Sequence, residues 1–202
     1  MDDNTECPYD STKNRYIFYE HTDKYMEYEK NCPQENHYNQ YEYKCKFQLS
    51  NDEKEQMNII TICKRFHCLL DKLFPLSTKH TNNNEYVDLE YLNYWLNYEL
   101  HLKGSSICPK YFYQILKSMD NNDILSELSK NYGYIVNEEV KNMYSLYNLY
   151  YYYNEMNKDL NRDTPIEETV MVYANKCVDE YQKFEGHCSD TTTNFLYCFN
   201  CL

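Results

Sequence analysis

A chain of 202 residues fits one domain or two small ones, and a single domain of that size can bury a core without relying on covalent staples. Its formal net charge of −12 sets it against nucleic-acid phosphate and against an anionic membrane surface. With 3 Gly and 5 Pro it has few turn residues for a β-sandwich and no glycine-rich phosphate loop, so the features left to explain are 25 Tyr and 10 Cys.

In chain order, Met1 to Asn14 is polar and acidic and has no signal-peptide pattern. Arg15 to Asn31 carries Tyr16, Tyr19 and Tyr25 and predicts a short helix. Cys32-Pro33 ends it, because the residue before a proline is pushed out of the helical region. Pro33 to Lys44 reads as a polar loop. Ser50-Asn51-Asp52-Glu53 has the capping-box form, and Met57, Ile60, Cys63, Phe66, Leu70, Leu73 and Phe74 behind it recur at three- and four-residue steps. That pattern predicts an amphipathic helix ending near Pro75. Leu76 to Glu85, with Thr81-Asn82-Asn83-Asn84, predicts a loop.

Tyr86 to Lys103 places Leu89, Leu92, Tyr94, Trp95, Leu96 and Leu100 on a broad apolar face, with Gly104 as the residue just past the helix end. Cys108-Pro109 starts the next helix, since proline is tolerated in a first turn. A short helix through Ile124, Leu125 and Leu128 follows Asp123 and ends near Gly133, with Asp120 to Asn122 as a loop. Asn137-Glu138-Glu139 opens a long helix through Val140, Met143, Tyr144, Leu146, Tyr147, Tyr150 and Tyr151. Thr164-Pro165-Ile166-Glu167 forms a capping box with proline at the first helical position, ahead of Val170, Tyr173, Cys177, Tyr181 and Phe184, and Gly186 stops that helix. A last short helix holds Phe195, Leu196 and Phe199. No repeat and no shift of composition marks a second domain. The expected fold is all-α: a single irregular bundle of about seven or eight helices, cross-linked by disulfides. Its core is expected from the helices beginning near Asn51, Tyr86, Asn137 and Pro165.

The cysteines are Cys7, Cys32, Cys45, Cys63, Cys68, Cys108, Cys177, Cys188, Cys198 and Cys201. Their even number and dispersed placement favour disulfides in an oxidising compartment. On one helix Cys63 and Cys68 stand about 140° apart and roughly 8–9 Å apart at Cα. A disulfide rarely spans more than about 7 Å, so each must bond to another element. Most of the ten are expected to be paired, tying helix ends and loops to helices, with connectivity open. No run of 18 apolar residues occurs, so display at a membrane needs an anchor or export signal of another kind. No Asn-x-Ser/Thr acceptor is present, which is compatible with an extracellular protein that is not N-glycosylated.

Zinc is the rival use of the thiols. His187, Cys188, Cys198 and Cys201 include one Cys-x-x-Cys, but Phe195, Leu196 and Phe199 surround it at helical spacing, where a zinc site wants ligand pairs on turns. No strand pattern precedes it, as a thioredoxin-like redox motif would require. His21, His37, His67, His80, His101 and His187 form no HExxH or similar pair and read as surface or structural. Paired acids such as Glu138-Glu139 compensate helix dipoles. No catalytic, cofactor-binding or metal-ligating residue is assigned. Trp95 reads as core. The run Tyr150 to Tyr153 covers every face of one turn, half for core and half for helix contacts, with a partner-binding surface as the other reading.

Tyr91-Leu92-Asn93-Tyr94-Trp95-Leu96 resembles the signature block of the Plasmodium interspersed repeat (PIR, or VIR) family. The helix around Tyr144, Tyr147 and Tyr150 and the cysteine block Cys177, Cys188 and Cys198 are similar to later parts of that family. Members often carry a cysteine just before the first block. Here Asp88-Leu89-Glu90 stands there, with Cys68 on the preceding helix as a substitute. The resemblance implies that Tyr91, Leu92, Tyr94, Trp95, Leu96, Tyr144, Tyr147 and Tyr150 are structural core. It also implies a variant surface antigen on the infected red cell that touches host cell-surface or immune receptors and antibodies. In the family, attachment runs through a spacer and transmembrane helix beyond the part seen here. The alternatives are an intracellular helical scaffold with free thiols and, below it, a zinc-dependent enzyme.

Overall fold

The computed structural model describes residues 17–32, 39–75, 85–120 and 122–185. These are 80% helical and form no strand. A 3₁₀ turn, Ile17–His21, runs straight into α1 (Thr22–Lys30). A second 3₁₀ segment, Asn39–Cys45, precedes α2 (Glu53–Leu73), α3 (Glu85–Leu102), α4 (Pro109–Met119), α5 (Asp123–Asn131), α6 (Asn137–Leu160) and α7 (Glu167–Glu185). The all-α expectation holds, and eight separate helical runs match the expected number. The chain groups into two compact units, 28–140 and 17–27 with 141–185 among the described residues. None of the described helices is long and apolar enough to cross a membrane.

Local signals explain most helix ends. Asp52, not Ser50, caps α2: its side chain accepts from the Glu55 backbone N–H at 2.7 Å, while Ser50 donates its hydroxyl to Glu55 at 2.6 Å. The cap therefore sits two residues later than the capping-box pattern suggested, because Asp52 and Ser50 both take part in holding Glu55. The Ser50 hydroxyl, contributing most, and then Ser106 and Ser105 hold the Glu55 carboxyl below its ordinary pKa. At the end of α3, Gly104 adopts φ +62°, Gly104 N donates to His101 O and Ser105 N to Leu100 O. This pair of bonds closes the last turn and uses the left-handed backbone that glycine adopts without strain. Pro109 opens α4 behind Cys108, and the Asn122 side chain caps α5 through the Ile124 N–H at 2.8 Å.

In the first unit α2 packs on α3, α4 on α5, and the second 3₁₀ segment on α2 and α4. Ile59, Ile62, Phe66, Leu69 and Leu70 of α2 are buried. Met57, expected on that face, is 58% exposed, since the covered stripe begins only at Ile59. α3 is buried nearly all round, which marks a central helix. Its buried asparagines are satisfied internally. Tyr113 donates to Asn93, and Asn97 donates to Gly133 O and accepts from Ile135 N. Asn97 thereby holds the link between α5 and α6. Arg65 and Glu99 form a buried ion pair at 2.5 Å, with the guanidinium 5.0 Å from the Trp95 ring. Arg65 Nε also donates to Cys32 O.

The second unit is built on aromatic contacts. Phe18 lies 6.4 Å from both Tyr25 and Tyr147, and Tyr19 lies 4.8 Å from Tyr150. Met143, Leu146, Tyr147 and Leu149 are buried. α7 departs from expectation twice. It begins at Glu167, so Pro165 lies outside it; Ile166 accepts from Val170 N and acts as the last residue before the helix. Among the described residues it also adds no buried apolar side chain: Met171, Val172, Val178 and Tyr181 are exposed, so a helical period alone did not decide that a face is covered.

Candidate functional site: a buried disulfide beside an imidazole

The described chemistry concentrates where the chain between α1 and α2 lies against α2. Cys32, just past α1, bonds Cys68, and Cys45, at the end of the second 3₁₀ segment, bonds Cys63. Cα separations are 5.9 and 6.0 Å. The two sulfurs of α2 face different sides of the helix, as their five-residue spacing requires, so the bonds hold the incoming segment at two points. In the chain-entropy model, loops of 36 and 18 residues are worth about 3–4 kcal/mol each. Cys108 is disulfide-bonded as well. Cys177, one of the candidates for pairing, is a free thiol. It is half-buried on α7 with its sulfur 4.0 Å from Leu149 O, and burial raises its pKa, which keeps it protonated. Cys7, Cys188, Cys198 and Cys201, and with them the Cys-x-x-Cys and His187, lie outside the described residues.

His67 stands one turn beyond Cys63 and is fully buried. Its ring stacks on Tyr41 at 6.0 Å, and Tyr41 in turn donates to Asp71 at 2.9 Å. Neither ring nitrogen makes a hydrogen bond among the described residues. Desolvation, reinforced by the Lys44 charge and opposed by Asp120, pushes its pKa down to about 4, so the imidazole is neutral at physiological pH. Lys44 is itself tied to Asp120 at 2.6 Å. The Cys45 and Cys63 sulfurs and an imidazole nitrogen all lie within 4.8 Å of one another. On the outer side of Cys45 an open groove of about 490 Å³ is lined by Cys45, Lys46, Phe47, Ile60 and Lys64, among others.

The signature block Tyr91, Leu92, Tyr94, Trp95 and Leu96 is wholly buried, and Trp95 is 1% exposed. Tyr147 is buried and Tyr150 half-buried. Tyr144 is not core: it is 36% exposed although Asn148, one turn along the same face, is buried. Cover on that face is present at one height and missing at the next. None of Tyr150 to Tyr153 is fully buried. Tyr152 stacks on Tyr173 of α7 at 6.4 Å, and Lys176 sits 5.0 Å above the Tyr152 ring. Burial raises the Tyr152 pKa, with Glu180 adding to it.

Sequence reasoning passed over His67 as structural. The signal that could have singled it out is Cys63-x-x-x-His67, two ligand types at the i,i+4 spacing of one helix face. Comparison of the chain with protein-family models, with curated proteins and with solved structures found no match.

Proposed function

We propose that this chain acts by contact and not by catalysis: it is a stapled helical module of the PIR/VIR type, displayed toward the host and touched by a cell-surface or immune receptor and by antibody. The signature block resemblance motivates the family part of this reading. What supports a contact role is the pairing of a clamped, densely buried helical unit with a helix that leaves its large apolar side chains uncovered. Met171, Val172, Val178 and Tyr181 of α7 are each exposed by 46–53%. Exposed apolar residues in a cluster, with tyrosines beside them, are the composition of a partner-binding patch. The net charge of −12 favours a partner with a cationic rim.

The test is a screen of the purified, non-reduced chain against red-cell, endothelial and immune receptor ectodomains. For a receptor that binds, Met171→Ala, Val172→Ala and Tyr181→Ala are expected to weaken binding and leave the thermal midpoint unchanged. Ten free thiols in native, non-reduced protein would contradict surface display and favour an intracellular scaffold.

A further inference from the structure

Cys63 and His67 lie four residues apart on α2, so both side chains project from one face of the helix. Cys45, from the adjoining 3₁₀ segment, brings a second sulfur to the same point, and all three ligand atoms lie within 4.8 Å of one another. A fully buried ring with neither nitrogen hydrogen-bonded is costly to maintain, and a disulfide sulfur is a poor partner for it. We propose that, once the Cys45–Cys63 disulfide is reduced, Cys45, Cys63 and His67 become the ligands of a thiolate-binding divalent metal ion of the zinc type.

The chemistry balances in two steps. Two equivalents of a small-molecule thiol together donate two electrons and two protons to the Cys45–Cys63 bond through a mixed disulfide, so the bond opens to two thiols and the two reductant molecules leave joined as their own disulfide. The metal ion then displaces the two thiol protons to solvent and takes the lone pair of the neutral imidazole, giving an S₂N set with the fourth position left to water. With metal–sulfur bonds of about 2.3 Å in a tetrahedron, the two sulfurs must sit roughly 3.8 Å apart. Side-chain rotation at a Cα separation of 6.0 Å reaches that spacing without moving the backbone. Cys45 itself lines the groove, which brings a reductant to one sulfur of the bond, and Lys46 and Lys64 on the same wall add positive charge that favours thiolate over thiol. The second 3₁₀ segment would then stay fastened to α2 in both redox states, through a covalent bond when oxidised and through a metal when reduced.

The experiment uses the full chain, reduced with a phosphine, which does not compete for metal, and titrated anaerobically with Co²⁺ as an optical stand-in for Zn²⁺. Tetrahedral d–d bands and thiolate-to-cobalt charge transfer are expected at one equivalent. Zn²⁺ should abolish them, and the oxidised chain should not show them. His67→Gln and Cys63→Ser are expected to lose these bands, whereas Cys198→Ser with Cys201→Ser keeps them. A second measurement needs no variant: in the reduced wild-type chain, Zn²⁺ should slow alkylation of Cys45 and Cys63 and leave Cys32 and Cys68 unaffected. Bands that survive in both His67→Gln and Cys63→Ser, or equal alkylation of Cys45 and Cys63 with and without Zn²⁺, would overturn the proposal.

Discussion

α3 and α7 are close in length and both carry leucine- or valine-class and aromatic residues at helical spacing, yet they end in opposite environments. α3 is covered on nearly every side, down to Asp88, Glu90 and Glu99. On α7 the only fully buried side chain among the described residues is Glu180. Periodicity shows which face a helix would bury, and the neighbours decide whether it does. For α3 those neighbours are α2 and α4, and α2 is itself fastened to the preceding segment by sulfur.

The largest effect expected from this contrast lies at the centre of the α2–α3 packing. Trp95→Ala should cost about 3–5 kcal/mol, because the ring is fully buried against Phe66 and Arg65 and the site cannot collapse onto so large a void. Urea unfolding with intact disulfides would measure it. Nearly as large is Arg65→Met, about 3–5 kcal/mol, since it strands the buried Glu99 carboxylate. Adding Glu99→Leu should return much of that loss, and a double-mutant cycle would reveal whether the pair itself is stabilising.

A third prediction concerns pH. His67 has a folded pKa of about 4, below the 6.5 of an unfolded histidine, so between these values the unfolded chain binds the extra proton. Its stabilising contribution is therefore fully present above about pH 6.5 and is lost as the pH falls toward 4, by on the order of 3 kcal/mol. Comparing urea midpoints of wild type and His67→Leu from pH 7.5 to 4 isolates this slope from that of the carboxylates. The wild type should fall more steeply, and parallel curves would contradict the assignment. Smaller again is Asp52→Ala, about 1 kcal/mol for the lost cap of α2. Smallest is Met171→Ser on α7, within about 0.5 kcal/mol. A cost there as large as at Trp95 would erase the distinction between the two helices.

Much of the helical framework was legible because its signals are local. Gly104 and the Cys108-Pro109 step each act through their own backbone, and each is found at a helix boundary. The five-residue spacing of Cys63 and Cys68 excluded a bond between them by helix geometry alone. The pairing actually made was beyond reach, because it depends on where residues 32 and 45 return in space. Segment 33–44, read as loop, carries a 3₁₀ helix over its last residues, where Tyr41 is anchored by Asp71 and His67. The burial of Asn93 and Asn97 was hidden for the same reason, since Tyr113, Gly133 and Ile135 supply their partners from distant positions. Tyr144 misled because its angle around α6 is right while its height along the axis is uncovered.

Peptide mapping of the non-reduced chain after alkylation under native conditions tests the sulfur clamp most directly. The expected result is Cys32 linked to Cys68, Cys45 linked to Cys63, and an alkylated Cys177. Finding Cys63 joined to Cys68, or all four clamp cysteines alkylated as free thiols, would contradict the account.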